Sequence, residues 1–163
     1  MFYQVEGDIL LSTACAIVQG VEINDPMDKG LALALRNQYP DMCKDFNRWC
    51  HQHKTRPGEA WLWTGTNNSH IVNLIIQDVI DSHDYHVHKA TLNNIKHALD
   101  ALAKLILKEK MTSIALPKLA TGSGDLDWDD VWPLIENSLK DTDIPVYVYI
   151  SYHPGQKAEE LSN

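Results

Sequence analysis

The sequence has few cysteines, few positive charges and no long apolar run. Its three cysteines, Cys15, Cys43 and Cys50, include no CxxC pair, which argues against both a disulfide framework and a tetrahedral zinc site. Because 14 Lys and Arg face 22 Asp and Glu, for a formal net charge of −8, we expect no non-specific binding to nucleic acid. No stretch approaches the roughly 20 apolar residues that span a bilayer, so we expect no membrane interaction and a soluble, cytoplasmic protein.

The chain is long enough for one domain with a buried core. Its 163 residues fall in the usual range for a single domain. Short apolar runs rich in Val, Ile and Trp, each bounded by polar residues, Gly or Pro, are typical of buried strands. They predict strands near residues 3–5, 13–18, 60–63, 71–76, 113–116 and 146–150.

Helical periodicity alternates with these strands. It is clearest over residues 89–108, where Leu and Ile at three- and four-residue spacing form one stripe and Thr91 is a candidate N-cap. Three further helices are predicted at about residues 29–37, 41–51 and 129–139. This alternation predicts an α/β fold, a three-layer α/β/α sandwich with a mixed, mostly parallel central sheet. We expect one domain over residues 1–152 and a flexible, solvated tail over residues 153–163.

Two loops that follow strands are unusual, and ligands of open α/β sheets bind where such loops leave the strands. The first loop covers residues 20–30 and the second covers residues 120–128. Small residues at positions 120–124 allow a ligand to approach the backbone, and N–H groups ahead of a helix form an anion cradle. The alternative is that the glycines only make a turn and Asp127 only caps the next helix.

Four motifs follow one another along the chain. They are Gly7-Asp8-Ile9-Leu10, Met27-Asp28-Lys29-Gly30-Leu31-Ala32, Tyr39-Pro40, and Ile114-Ala115-Leu116-Pro117 running into Gly122-Ser123-Gly124-Asp125-Leu126-Asp127-Trp128. Their order and spacing resemble a macro domain over about residues 3–149. The sequence is similar, more narrowly, to the branch that contains terminal ADP-ribose protein glycohydrolase, the DNA ADP-ribosylation antitoxin and the yeast-type ADP-ribose 1″-phosphate phosphatase.

The resemblance implies a cleft that binds ADP-ribose or an ADP-ribosylated substrate, in a protein that acts as a monomer without a cofactor. Asp8 would accept a hydrogen bond from the adenine amino group, with Ile9 as its backbone partner. Tyr149 would line the adenine or the proximal ribose. Plain structural roles remain open for both side chains, a turn aspartate for Asp8 and a core or edge-strand tyrosine for Tyr149.

The two unusual loops supply the other ligand-binding residues that the resemblance implies. The first loop would surround the distal ribose, where any bond is cut, through Glu22, Met27 and Gly30. The second loop would hold the diphosphate and its surroundings through Thr121, Gly122, Ser123, Gly124 and Leu126.

The first loop departs from the pattern of the resembled family. Where the family carries Asn followed by Gly-x-Met-Gly, this chain has Glu22 and then Asp25-Pro26-Met27-Asp28. Carboxylates therefore replace glycines beside an anionic ligand, and uncompensated like-charge contacts cost several kcal/mol each. These side chains must point away from the ligand, bind a cation or take part in the reaction.

The resembled glycohydrolases also carry a catalytic lysine that this chain lacks. Their Thr-Lys pair follows the strand that ends near residue 76, and this chain reads Gln77-Asp78 there. Because the chain lacks a lysine at this position that could form a Schiff base, we predict that an aspartate, Asp125 or Asp28, activates water. Burial or a neighbouring carboxylate would raise the pKa of this aspartate. Lys29 is a further catalytic candidate. The alternatives are a surface role for Lys29 and a helix-capping role for Asp125.

A segment rich in histidine lies between residues 81 and 88. In an extended chain His86 and His88 share one face and, with Asp84, have the right chemistry for a metal. Histidines this dense in a loop are more often solvated, and we predict no metal site.

The leading hypothesis is therefore a hydrolase that acts on an adduct of the distal ribose of ADP-ribose. The adduct would be an ADP-ribosyl ester, a link to a nucleotide, or ADP-ribose 1″-phosphate. The alternative is a module that binds ADP-ribose or a related NAD-derived nucleotide without turnover. In a third interpretation Asp25 and Asp28 close the distal site, and the fold serves as an interaction scaffold.

Overall fold

The helices and strands are given by a computed structural model, which describes residues 1–77, 90–121 and 125–160. The strands are β1 (Phe2–Gly7), β2 (Ala16–Glu22), β3 (Ala60–Thr64), β4 (His70–Gln77), β5 (Ile114–Pro117) and β6 (Val146–Tyr152). The helices are α1 (Gly30–Gln38), α2 (Pro40–Gln52), α3 (Leu92–Lys108) and α4 (Trp128–Leu139). Within these ranges, none of the helices is both long and apolar enough to cross a membrane.

The strands form one sheet in the order β1-β6-β5-β2-β4-β3. Every neighbouring pair is parallel except β3 with β4, which are antiparallel and joined by a short turn. Helices cover both faces of the sheet. The prediction of a three-layer α/β/α sandwich with a mixed, mostly parallel sheet is confirmed.

Alternate residues of the central strands enter two separate cores. Val18 and Leu74 belong to the core built with α3 and α4, whereas their neighbours Ile17 and Ile75 belong to the core built with α1 and α2. This follows from the two-residue period of a strand. Because helices cover both faces of the sheet, the strand sequences are continuous apolar runs and do not alternate between apolar and polar residues.

Strand β2 extends further than its apolar run predicted. The run suggested residues 13–18, but the strand covers Ala16–Glu22. Gln19, which is 2% exposed, donates a hydrogen bond from its amide to the side-chain oxygen of Asn73 at 2.9 Å. A buried polar side chain is tolerated in a core when its hydrogen bonds are satisfied, so the strand continues through Gln19.

The helix ends follow the expected local chemistry. The Thr91 hydroxyl accepts a hydrogen bond from the Asn94 amide at 3.0 Å, which confirms it as the N-cap of α3. Asp127 caps α4 in the same way through the Asp129 amide at 3.1 Å. Helix α1 ends before Pro40, which occupies the first turn of α2, where a proline costs no hydrogen bond.

The segment that follows β6 packs against the start of the chain. The Gln156 carbonyl accepts a hydrogen bond from the Asp8 amide at 2.7 Å, and Ala158 is 8% exposed. Glu160 accepts hydrogen bonds from the hydroxyls of Tyr149, at 2.5 Å, and Ser12, at 2.6 Å. Residues 155, 156, 158 and 160 of the predicted tail are therefore packed or hydrogen-bonded to partners that composition does not reveal, and the flexibility of the segment stays a prediction. Residues 161–163 lie outside the described residues.

We predict that Glu160→Ala lowers the free energy of unfolding by about 1–3 kcal/mol, because it leaves the hydroxyl of the largely buried Tyr149 without its acceptor. Urea unfolding at pH 7 measures the change. Glu159→Ala, at the exposed neighbouring position, is the control and should stay within about 0.5 kcal/mol of the unsubstituted protein. Equal stability of the two variants would contradict the packing of this segment.

Candidate functional site

Two adjoining cavities lie at the edge of the sheet where the parallel strands end. One has a volume of about 600 Å³ and the other about 390 Å³. Both are lined by Gly30 and Leu31, at the start of α1, and by Pro117, at the end of β5. The carboxyl edge of an open parallel sheet is the usual place for a ligand, and the shared residues join the two cavities into one cleft.

The smaller cavity, which we call the apolar cavity, is mainly hydrophobic. Its lining comprises Gly7, Ile9, Leu10, Gly30, Leu31, Ala34, Pro117, Tyr149 and Tyr152. Tyr149 is 6% exposed and Tyr152 is 62% exposed, so that one tyrosine forms the wall and the other stands free at the rim. A cavity with these walls suits a flat, largely apolar group that stacks on an aromatic ring.

Tyr149 is bound to the C-terminal segment behind this cavity. Its hydroxyl donates to Glu160 at 2.5 Å. Burial raises the pKa of Tyr149, and the hydrogen bond to the Glu160 carboxylate raises it further. The phenol therefore stays neutral and serves as a fixed wall of the apolar cavity.

Asp8 is not among the residues that line the apolar cavity, whereas Ile9 is. Asp8 is buried, with only 7% of the residue exposed. One oxygen accepts from the Leu10 amide at 3.0 Å and the other from the Gly155 amide at 2.9 Å. Asp8 thus makes the turn after β1 and holds the C-terminal segment, and its contact with an adenine amino group stays a prediction.

The larger cavity, which we call the acidic cavity, contains most of the charged residues of the site. Its lining includes Glu22 at the end of β2, Gln77 at the end of β4 and Lys118 just after β5. Asp25 and Asp28 of the first loop also line it. Three acidic residues and Lys29 therefore line the space where the first loop was expected to contact a ligand, whereas the Lys118 ammonium group lies over the Trp128 ring, 5.7 Å from its centroid.

Glu22 and Gln77 are paired across adjacent strand ends. The Gln77 amide donates to Oε2 of Glu22 at 3.3 Å. Burial raises the pKa of Glu22, and the nearby Asp25 carboxylate raises it further, while the hydrogen bond from Gln77 and the charge of Lys29 act in the opposite direction. A glutamate in this setting holds its proton at higher pH than a solvated one.

Asp25 shapes the first loop. Its two carboxylate oxygens accept hydrogen bonds from the Glu22 amide, at 3.1 Å, and the Met27 amide, at 2.8 Å. Met27, expected to bind ligand, is fully buried in the core with α1 and α2, has a φ of +53° and is not among the cavity-lining residues. Its side chain therefore anchors the loop.

Asp28, Lys29 and Gly30 lie where the first loop enters α1, and all three are exposed and line the acidic cavity. Lys29 is the N-cap residue of α1 and has no side-chain acceptor for the first amides of the helix. Gly30 has a φ of +62°, which a residue without Cβ adopts at little cost. The helix start therefore presents N–H groups to the cleft, as anion-binding helices do.

Of the described residues of the second loop, only Ala120 lines the acidic cavity, next to Lys118 and Leu119, which precede the loop. Ala120 has a φ of +62°, and its carbonyl accepts from the Leu126 amide at 2.9 Å. Thr121 donates to the Lys118 carbonyl at 3.0 Å. Thr121, Asp125 and Leu126 are not among the cavity-lining residues, and the predicted residues Gly122, Ser123 and Gly124 lie outside the described residues.

Of the two aspartates predicted to activate water, Asp28 lies in the acidic cavity together with Asp25 and Glu22, but Asp125 does not line it. Lys118, Leu31 and Tyr152 line the cleft without having been predicted. Lys118 follows β5 and Tyr152 ends β6, and these positions at strand ends are the signal that could have found both. Leu31 lies in the first turn of α1.

In the described part of the chain, no three His, Cys, Asp or Glu side chains are arranged to hold a metal ion. The histidine-rich segment of residues 81–88 lies outside the described residues.

Comparison with known proteins decides the family. The family model described as Macro domain matches residues 18–135. The chain belongs to the macro domain family.

Individual proteins resemble this macro domain in sequence or in structure. A DNA ADP-ribosyl glycohydrolase of Mycobacterium tuberculosis is 28% identical over 147 residues, which cover 86% of this chain and 40% of that protein. The human ADP-ribose glycohydrolase OARD1 is 34% identical over 62 residues, which cover 38% of this chain and 41% of that protein. The macrodomain of Thermus aquaticus DarG has a TM-score of 0.81 and 25% identity, covering 92% of this chain and 98% of that one. This chain spans about 40% of the length of these curated relatives.

The raised pKa of Glu22 predicts a pH-dependent effect of Glu22→Gln on stability. The folded protein holds this proton more tightly than the unfolded chain, so ionisation of Glu22 costs folding free energy above about pH 4.3. Glu22→Gln removes that cost and should unfold at a higher urea concentration than the unsubstituted protein at pH 7. The advantage should shrink as the pH falls and be gone by about pH 3, where Glu22 is protonated in both states.

The exposed Glu136→Gln on α4 is the control, and its unfolding midpoint should match that of the unsubstituted protein at pH 7. A Glu22→Gln variant less stable than the unsubstituted protein at pH 7 would contradict the burial of this carboxylate in the acidic cavity.

Proposed function

We propose that this macro domain binds ADP-ribose along the cleft, with the adenine in the apolar cavity and the distal ribose in the acidic cavity. The observation that carries this proposal is the pairing of a hydrophobic and a polar cavity that share Gly30, Leu31 and Pro117. ADP-ribose has the matching order of groups: a flat base, a charged diphosphate and a second ribose. Its diphosphate would then lie at the shared residues.

The start of α1 supports this placement of the diphosphate. Gly30 has no heavy atom within 4 Å of the position of a Cβ, so the cleft is open at the first helical residue. Amides at a helix start favour anions. Lys29 lines the acidic cavity, and its positive charge acts on Glu22. The second loop would complete the anion site through residues 121–126.

We further propose that the protein hydrolyses an adduct at the distal ribose. The named relatives are a DNA ADP-ribosyl glycohydrolase and an ADP-ribose glycohydrolase. Without the catalytic lysine, a carboxylate activates the attacking water. Asp28 and Lys29, which line the acidic cavity, and Asp125 are the candidates that the sequence offered. Carboxylates repel a second phosphate, so an ester or a glycosidic link to a nucleotide is favoured over ADP-ribose 1″-phosphate.

The alternative function is binding of ADP-ribose without turnover. The observation that favours it is the neutral Gln77 at the end of β4, where the resembled glycohydrolases carry a Thr-Lys pair. The two functions share the same cleft and differ only in what happens at the distal ribose.

Binding is tested by thermal unfolding with ADP-ribose. A hundredfold excess over Kd should raise the free energy of unfolding by about 2.7 kcal/mol. Tyr152→Ala removes an exposed ring from the apolar cavity and should weaken Kd about tenfold, since base stacking on an aromatic ring contributes ~1–3 kcal/mol. Leu107→Ala, at a residue on α3 that is 63% exposed, is the matched control. No shift with the unsubstituted protein would contradict binding, and equal affinities of the two variants would contradict the adenine placement.

Turnover is tested with three substrates: ADP-ribosylated DNA, an ADP-ribosyl ester on protein, and ADP-ribose 1″-phosphate. We expect release of ADP-ribose from at least one of the first two and at least tenfold slower release of phosphate from the third, because the acidic cavity carries three carboxylates. Binding without any release would instead support the non-catalytic alternative. Faster release of phosphate would contradict the preference derived from charge.

A further inference from the structure

We propose that Glu22 is the catalytic base of this macro domain and that Gln77 positions it. The inference rests on the proposed hydrolase function and names the group that activates water. Glu22 would touch the attacking water, whereas Gln77 would act only through Glu22.

The backbone fixes where the Glu22 side chain lies. Strands β2 and β4 pair in parallel, beginning with Ala16 opposite His70. The register shifts by one residue between Val21 and Glu22, so that Glu22 lies opposite Gln77. A bulge of this kind changes the direction of a side chain at the end of a strand. The Ile23 amide then donates to the Gln77 carbonyl at 3.2 Å, which holds the two strand ends together beyond the bulge.

Among the hydrogen bonds of the described residues, the Glu22 carboxylate takes part through one oxygen, Oε2. Gln77 donates to Oε2 of Glu22 at 3.3 Å. Gln77 is only 8% exposed, so that its amide is a fixed donor in the wall of the acidic cavity. A carboxylate held through one oxygen presents the other in a defined direction, which is what a general base requires. We assign Oε1 to the water molecule.

Partial burial and neighbouring carboxylates make Glu22 a stronger base than a solvated glutamate, because they raise the pKa of its carboxyl. Asp25 and Asp28 face it from the first loop and, with burial, raise its pKa, while Lys29 lowers it. Lys118 lines the same cavity from the end of β5. A catalytic base is most effective when its pKa lies close to the working pH.

The other carboxylates of the acidic cavity are less suited to this role. Both oxygens of Asp25 already accept hydrogen bonds from the amides of Glu22 and Met27. Asp28 is exposed, and burial is what gives Glu22 its higher proton affinity. Glu22 combines partial burial, a hydrogen bond that orients its carboxylate and a place in the cavity wall.

The proposed step is a hydrolysis in which Glu22 accepts one proton. The water oxygen forms a bond to the anomeric carbon of the distal ribose as the bond from that carbon to the leaving group breaks. The leaving group, a carboxylate or a nucleobase nitrogen, departs with the bonding electron pair, and the nitrogen takes a proton from solvent. The proton lost by the water goes to Oε1 of Glu22 and then to solvent, which restores the carboxylate.

The direct test compares Glu22→Gln and Glu22→Asp with the unsubstituted protein, using whichever ADP-ribosylated DNA or ester the latter hydrolyses. Glu22→Gln should lower kcat at least 100-fold, since general-base catalysis contributes about 10²–10⁴-fold. Its Kd for ADP-ribose should stay within about threefold. Glu22→Asp keeps a carboxylate and should retain more activity than Glu22→Gln. Glu136→Gln, on the outer surface of α4, should keep the full kcat.

The positioning role of Gln77 is tested by the pH profile of kcat. Gln77→Leu removes a hydrogen bond that lowers the pKa of Glu22, so the acid limb of the profile should move to higher pH. Asp28→Asn removes a charge that raises this pKa, so the same limb should move to lower pH. Opposite shifts are the signature of a titrating Glu22, and a general loss of stability would not produce them.

The possible failures are distinguishable. If the unsubstituted protein shows no thermal shift with ADP-ribose and no turnover, the proposed function fails, and the assignment of Glu22 fails with it. If the unsubstituted protein hydrolyses a substrate and Glu22→Gln does so with kcat within tenfold, the proposed function stands and the assignment is overturned. Profiles that do not move in Gln77→Leu would overturn the positioning role alone.

Discussion

Five of the strands in the sheet are parallel, and their carboxyl ends therefore meet at one edge. This constraint brings residues that are far apart in sequence, such as Gly7, Glu22, Gln77 and Pro117, into the walls of two adjoining cavities. The cavities exist because both faces of the sheet are covered by helices, which leaves the strand ends as the place where loops can enclose a ligand.

The chemistry of the cleft changes along its length. Near β1 and β6 the walls are hydrophobic and the polar groups are occupied, since Asp8 and Tyr149 are both hydrogen-bonded to the C-terminal segment. Near β2 and β4 the walls carry charge, and Glu22 and Gln77 hold each other in place. The start of α1 lies between the two ends. A ligand with a base at one end, an anionic centre and a reactive sugar at the other matches this order.

The fold was largely predictable from the sequence, because apolar runs and helical periodicity are local properties. The limits of β2 were not, since only the structure shows that Gln19 is satisfied by Asn73 in the core. The same reason explains why the segment after β6 was expected to be loose: its Glu160 accepts hydrogen bonds from Tyr149 and from Ser12, which lies 148 residues away in the sequence. In the site, the family resemblance pointed to the loops after β2 and β5, whereas the burial of Met27 and the pairing of Glu22 with Gln77 depend on packing and on a strand bulge.

The orientation of ADP-ribose in the cleft is the central claim, and nuclear Overhauser effects between bound ADP-ribose and assigned methyl groups measure it most directly. Adenine protons should show cross-peaks to the methyl groups of Ile9, Leu10 and Ala34, which line the apolar cavity. The anomeric proton of the distal ribose should show cross-peaks to the methyl groups of Ile76 and Ala32, which line the acidic cavity. The reverse pattern, or cross-peaks to neither group, would contradict the account.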